Sequence, residues 1–446
     1  MLRLALGTLR ARPASFAGPA TALLLSVTVI TLFASLIATA VAGGGDGRLA
    51  MIGGAFGEIA MLMTLFVVVN TLGFSLRRQA RDMTLLRTTG ATPAQVKRLV
   101  RCQVLLMTLL VSPPAWALGV QGADAFLTAL AARGLAPATA GLPSSPLPAL
   151  IATAATLLVA VGAASLAARR AVRGRPSEAA AETAAEQGRS GPLRAVAGTL
   201  VLAGAGFLCA FTARQPLDKA AQAALLTSLL LLVAVGLLGP FLARFAMVLL
   251  GLPFRLTGSR HRGDAGGRLA ADNLRGHAHR LSSAVVPITL LVGLSTTFAA
   301  ITGTLREVAP PGAYAESDVW LRGVELAMLA GFGTVATVNT LVSLTAARRR
   351  EYALLTLIGA TRRQLLRMLG AEATLTALAG VLLGLLVAAP PAVAFAVAAT
   401  DGALPTVAPG TSATLVLGVM ALTAATILLT GLKATSAPPV SAAAAA

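Results

Sequence analysis

The sequence predicts an all-α polytopic membrane protein, with about ten transmembrane helices arranged as two parallel four-helix repeats plus a central helix pair. Three observations lead there. The chain has 446 residues, 56% of them hydrophobic and only 12% charged, whereas soluble domains are about a quarter charged. Its apolar runs are long enough to cross roughly 30 Å of hydrocarbon. A small polar device, "TTGATPAQVKR" at Thr88–Arg98, returns as "LIGATRRQLLR" at Leu357–Arg367, each time beside an apolar run.

In chain order the expected spans are Ala17–Ala42, Ala55–Leu76, Cys102–Gly122, Leu147–Ala168, Ala195–Ala213, Ala220–Ala243, Leu281–Gly303, Val324–Ala347, Gly370–Thr400 and Thr411–Leu432. The first follows Arg3, Arg10 and Arg12. At about 25 residues it exceeds a signal-peptide core, and further spans follow, so it reads as a transmembrane helix. Lys and Arg set the orientation. With the N-terminus inside, only Arg48, Arg133, Arg214, Lys219, Arg306 and Arg322 of the 36 basic residues face outward. That alternation supports an even number of spans and both termini in the cytoplasm. It also accounts for the net charge of +19 as a topology signal facing anionic lipid. Nucleic acid is excluded as a partner, since aromatics make up only 4% and offer few stacking platforms.

The repeat register pairs Asn70 with Asn339. "NTL" at 70–72 then meets "NTL" at 339–341, Arg81-Asp82 meets Arg350-Glu351, and Leu85-Leu86 meets Leu354-Leu355. Gly90, Thr92, Gln95 and Arg98 meet Gly359, Thr361, Gln364 and Arg367. Upstream, "RLALGTLR" at 3–10 resembles "RLAADNLR" at 268–275. The expected organisation is a first four-helix module (1–168), a basic cytoplasmic linker (169–194), a central helix pair (195–244) and a second linker (245–280). A second module (281–433), led in by an amphipathic segment (266–280), and a disordered tail (434–446) complete it. The copies share one orientation, which implies an axis along the membrane normal rather than an inverted repeat.

Each device reads as two short helices around a tight corner. Gly90 and Gly359 fit the helix C′ position, where φ > 0 is wanted. Thr92 and Thr361 fit the next N-cap, and Gln95 and Gln364 complete a capping box. Pro93 fits the first helical position. Two matched corners suit a docking surface for a dimeric cytoplasmic motor; one alone would suit an interfacial loop on lipid headgroups.

Within the spans, Asn70 and Asn339 suit helix–helix hydrogen bonding. The pairs Pro113-Pro114 and Pro390-Pro391 should kink or break their helices, as hinges or as entries to outer loops. Glu58, Glu325 and Glu372 read as boundary residues that snorkel. Cys102 and Cys209 form no spacing motif and read as free thiols. His261, His277 and His279 sit in one basic loop, too few for a metal site. No nucleophile elbow and no G-x-x-x-x-G-K-[ST] loop occurs, so no catalytic residue is expected here.

The basic lead-in and corner, "RRREYALLTLIGATRRQ" and the weaker "RRQARDMTLLRTTGATPAQ", resemble the FtsX-like permease family, the transmembrane subunits of MacB-type ABC transporters. The layout is most similar to its duplicated ten-helix branch. The resemblance implies a permease in the bacterial cytoplasmic membrane whose ATP and Mg are bound by a separate ABC ATPase subunit, a dimer. It implies ATPase coupling by Arg81, Asp82, Gly90, Thr92, Gln95, Arg350, Glu351, Gly359, Thr361 and Gln364. The outer loops Gly43–Gly54 and Thr304–Gly323 are short where many members carry a large domain. That favours substrates arriving from the bilayer: a lipid, lipopeptide, antimicrobial peptide or hydrophobic drug. The alternatives are a non-transporting partner that transmits force or signal for an ATPase, and a secondary drug transporter. The last would want mid-span acid or histidine relays.

Overall fold

Each of the ten expected spans coincides with a helix long and apolar enough to cross a membrane, the fifth ending at Thr212, one residue before the expected Ala213, and no strand occurs among the described residues. The computed structural model describes residues 2–11, 13–44, 46–173, 192–257, 278–308, 316–400, 404–407 and 409–435. The side chains of Arg81, Asp82 and Arg350 lie outside the described set, as do most of linkers 169–194 and 245–280 with His261 and His277, and the tail from 436 onward, whereas His279 falls in a helix rather than a loop. The chain divides into two compact units, Met1–Glu186 and Gln187–Ala446.

The first unit holds α1 (Leu2–Ala11), α2 (Pro13–Ala42), α3 (Gly47–Arg78), α4 (Ala80–Thr88), α5 (Pro93–Ala131) and α6 (Leu147–Arg173). Helices α2 and α6 touch each other and both α3 and α5, while α1 lies along α5. Their shared core includes Leu23, Val68, Leu72, Val96, Val100, Val104, Ala160 and Ala164. Small residues set how closely the backbones approach: a Cβ on Gly119 would lie 2.7 Å from the Thr31 side chain. Further along, Phe33, Phe56 and Phe126 form an aromatic cluster with centroids 5.2 to 6.0 Å apart.

The second unit holds α7 (Pro192–Thr212), α8 (Leu217–Thr257), α9 (Ala278–Val308), α10 (Glu316–Ala347), α11 (Arg349–Leu357), α12 (Arg362–Thr400) and α13 (Pro409–Thr435). Helix α9 is its axis, touching α8, α10, α12 and α13. The closest approach is α9 on α12. Gly380 and Gly384 present bare backbone to Ile288 and Val292, and a Cβ at either glycine would fall within 2.6 Å of them. The central pair is built into this unit. Ala220 and Ala224 of α8 pack on Ile301 and Phe395, and the Ser228 and Thr297 hydroxyls share a 3.1 Å hydrogen bond. The Cys209 thiol of α7 reaches the Pro390 carbonyl at 3.2 Å.

Three expectations change. The proline pairs do not break their helices: α5 and α12 run through Pro113-Pro114 and Pro390-Pro391 as single 39-residue helices. Adjacent prolines concentrate the lost N–H groups at one level of the helix, and the apolar turns on both sides stay packed, with Val111 and Ala115, and Val387 and Ala392, all buried. The outer loop expected at Gly43–Gly54 shrinks to 43–46, because Gly47–Gly54 is helical and Leu49 and Ile52 are buried. The helix of the central pair does not stop at 244 but continues to Thr257. Arg244 is one charge inside a run, "FAMVLLGL" at 245–252, that still favours helix. The boundary residue Glu325 also finds a partner: it pairs with Arg322 at 3.7 Å, and Arg322 lies 5.7 Å from the Phe298 ring centre.

Candidate functional site

The two corners are built by local backbone chemistry. Only Gln79 separates α3 from α4, and only Arg348 separates α10 from α11. Each short helix then ends in the same way. Gly90 has φ 97° and Gly359 φ 105°, conformations that a Cβ resists. The Gly90 and Ala91 amides donate to the Arg87 and Leu86 carbonyls at 3.1 and 2.9 Å. The Gly359 and Ala360 amides donate to Thr356 and Leu355 at 3.1 and 3.0 Å. Both are Schellman closures, which satisfy carbonyls that the helix end would orphan.

The next helix starts with the reciprocal capping box. The Gln95 amide donates to Thr92 Oγ1 at 3.3 Å, and the Thr92 amide donates to Gln95 Oε1 at 2.8 Å. Thr361 and Gln364 repeat both bonds at 3.3 and 2.8 Å. These bonds hold exposed residues, so their contribution is local. Thr92→Ala or Thr361→Ala is expected to cost about 1 kcal/mol of corner stability, read as faster amide hydrogen exchange at Gln95 or Gln364 in the intact protein.

What the corners present outward is apolar. Leu85 is exposed at the first corner, and Leu354, Leu357 and Ile358 at the second, with Ile358 84% exposed. Arg362 and Arg363 beside them are also exposed. Beneath, the two corners are held differently. Met83 is buried in the first unit's core with Val96 and Val100. At the register position of Met83 the second corner has Tyr352, only 1% exposed and packed with Leu341, Leu365, Leu369 and Ile427.

Around Tyr352 sits a charge cluster. Arg348 Nε donates to Glu351 Oε2 at 2.8 Å, and Arg348 Nη1 donates to Glu372 Oε1 on α12. The same guanidinium lies 5.3 Å from the centre of the Tyr352 ring, in cation–π range. Burial works against the Arg348 charge, yet the Glu372 carboxylate, Tyr352 and the hydrogen bonds to Glu351 and Glu372 raise its pKa above the ordinary guanidinium value. Burial pushes the Tyr352 phenol up, opposed by Arg348 and helped by Glu372 and Glu351. The phenol therefore stays neutral and the guanidinium charged through the physiological range.

Of the residues expected to couple, Gly90, Thr92, Gln95, Gly359, Thr361 and Gln364 shape the corners directly. Glu351 pairs with Arg348 while staying partly exposed, and the side chains of Arg81, Asp82 and Arg350 are outside the described set. The proline pairs lie mid-span, away from the corners. The Asn70 amide nitrogen is buried with no hydrogen-bond partner. Sequence reasoning missed Arg348, Tyr352 and Glu372 as a group. The available signal was that Glu372 stands where the first copy has Gln103, and Arg348 where it has Gln79.

Comparison with known proteins places these corners in a family. The sequence model of the FtsX-like permease C-terminal family matches twice, over residues 54–176 and 323–439, and each match contains one corner. Together the matches span more than half of the 446 residues. No similar protein was found among curated sequences. The chain belongs to the FtsX-like permease family, multi-pass proteins that serve as membrane subunits of ABC complexes, are generally not catalytic themselves and usually partner a cytoplasmic ABC ATPase.

Proposed function

We propose that this chain is the permease of an ABC transporter in a bacterial cytoplasmic membrane, with both termini and both corners cytoplasmic. A separate ATPase dimer, which binds the ATP and Mg, docks on the corners. Its closure is coupled to extraction or export of a hydrophobic or amphipathic compound: a lipid, lipopeptide, antimicrobial peptide or drug. The observation that carries this reading is the pair of rigid corners, each closed by a left-handed glycine and a capping box and each tipped with exposed leucine or isoleucine. An apolar knob outside the hydrocarbon calls for a protein cover. The short outer turn at 43–46 favours a substrate that arrives through the bilayer over a soluble peptide.

The test is capture of the neighbouring ABC ATPase by the detergent-solubilised chain. Wild type is expected to retain it. Gly359→Pro combined with Gly90→Pro is expected to lose it, because both Schellman closures need an amide that proline lacks. Undiminished capture by this double variant would remove the docking assignment. Transport itself is read by ATP hydrolysis of the reconstituted pair, stimulated by an amphipathic drug in the vesicle. ATPase capture without any stimulation by lipid, lipopeptide or drug would favour the force-transmitting partner instead.

A further inference from the structure

Arg348 occupies the single position between the end of a span, α10, and the start of the corner helix α11. A hinge there would let the corner swing without moving anything in the membrane. The side chain of the same residue counters that freedom. It reaches across to Glu372, on the neighbouring span α12, and holds Glu351 on the first turn of α11. Glu372 lies ten residues into α12, about 15 Å along the helix axis from Arg362. Both members of the pair are largely covered, with side-chain exposures of 12% and 15%. The Tyr352 ring lies beside the guanidinium and is itself sealed in the core of that corner. Glu372 Oε2 is buried without a partner, so the carboxylate relies on Arg348 for its compensation. A buried charge with one specific partner tolerates little displacement from it.

Among the described residues, the positions of the first corner that match Arg348 and Glu372 make no such tie. At the register positions of Arg348 and Glu372 stand Gln79 and Gln103. Gln79 turns back to Ser75 on its own helix at 3.4 Å, and Gln103 donates to Thr8 of α1 at 2.9 Å. Neither bond joins the corner helix α4 to a span.

We propose that Arg348 and Glu372 are positioning residues that clamp the second corner to span α12, so that a push on α11 moves α12 instead of being absorbed at the hinge. Force that reaches the second corner then enters the membrane through α12. This rests on the permease reading above for its consequence, but the clamp has a readout of its own.

The experiment is a double-mutant cycle with Glu372→Gln, Arg348→Gln and both together, in the full chain in lipid nanodiscs. Amide hydrogen exchange is followed across Tyr352–Leu357. Each single variant is expected to raise exchange about tenfold. The double, which places the first copy's neutral pair in the second corner, is expected to do no worse than either single. Unchanged exchange in both singles, or multiplied effects in the double, overturns the clamp. Should Arg348→Gln fail to fold, Glu372→Gln alone decides, since it removes the charge while keeping the size and shape of the side chain. In the complex, Glu372→Gln is expected to retain the ATPase while its coupled ATP turnover falls severalfold; full turnover with a loosened α11 also overturns the proposal. If wild type recruits no ATPase, the permease reading fails, and the exchange cycle still decides whether the clamp exists.

Discussion

Gly380→Leu is expected to disassemble the second unit. The α9–α12 contact depends on two bare positions one turn apart, Gly380 and Gly384, over which Ile288 and Val292 lie fully buried. A Cβ at 380 would sit 2.3 Å from the Ile288 side chain, and one at 384 would sit 2.5 Å from Val292. Neither neighbour can retreat, because α9 is hemmed in by α8, α10 and α13. Reciprocally, Gly293 of α9 brings its backbone against Gly384 and Val387 of α12. In a membrane the helices gain little from hiding apolar surface, so close van der Waals packing supplies most of the association. Overpacking costs 1–3 kcal/mol or more, and leucine here adds four carbons to a closed contact. The expected result is a loss of about 3 kcal/mol or more, seen as a thermal midpoint lowered by roughly 10 °C in detergent. Gly370→Ala, on the same helix but with nothing within 4 Å of its Cβ, is the control and should leave stability unchanged or slightly raised. A well-folded Gly380→Leu protein with wild-type stability would mean that the α9–α12 contact is looser than described.

The corners were legible in the sequence because each is written in local chemistry. Glycine at C′, threonine at the N-cap and glutamine three residues later each act on backbone groups within one turn. Quoting "GATRRQ" is therefore nearly the same as drawing the turn. The spans were legible for a similar reason, since length and hydropathy suffice when every backbone group must bond within its own helix. Of the kink or break expected at the proline pairs, the break does not occur, because that expectation rests on the missing N–H alone, while continuity depends on packing from other helices. At Asn70 the sequence likewise does not say what faces the side chain, and its amide nitrogen is buried without a hydrogen-bond partner. The clamp was out of reach for a different reason. Arg348 and Glu372 are separated by a whole corner and three turns of helix, and each taken singly looks like an ordinary boundary charge.

The inequality of the two corners follows from those same residues. On the proposed permease reading, two matched corners are free to divide their labour once one of them anchors the ATPase. Where the first copy keeps Gln79, Met83 and Gln103, the second keeps Arg348, Tyr352 and Glu372, exchanging neutral contacts for a buried ion pair. Buried ion pairs add little net stability over apolar packing, so the exchange is poorly explained as a device for stability. Its specific effect is to add a charged link from the α10–α11 junction to α12 beside the apolar packing of Tyr352 on Leu365 and Leu369.

Ile358→Asp is expected to lose the ATPase while leaving the permease intact. Ile358 is the most exposed large apolar residue of the corner, at 84%, with Leu357 and Leu354 beside it at 52% and 45%. It is the residue just before the left-handed Gly359, and its own amide bonds to the Leu354 carbonyl at 3.0 Å. Its backbone is thus fixed and its side chain touches little of its own chain. Aspartate in its place alters the surface and not the turn. An apolar anchor at the centre of an interface is worth 2 kcal/mol or more, so association should weaken by about 30-fold or more. Leu85→Asp, at the first corner, removes a smaller apolar tip that is 59% exposed and should weaken association less. Surface titration of the ATPase onto nanodisc-held permease measures both. If the corner instead rests on lipid headgroups, ATPase affinity will be the same for Ile358→Asp and wild type, and the docking assignment fails. If Leu85→Asp proves the more damaging of the two, the ATPase is held chiefly at the first corner, and the clamp at the second serves transmission without carrying most of the binding.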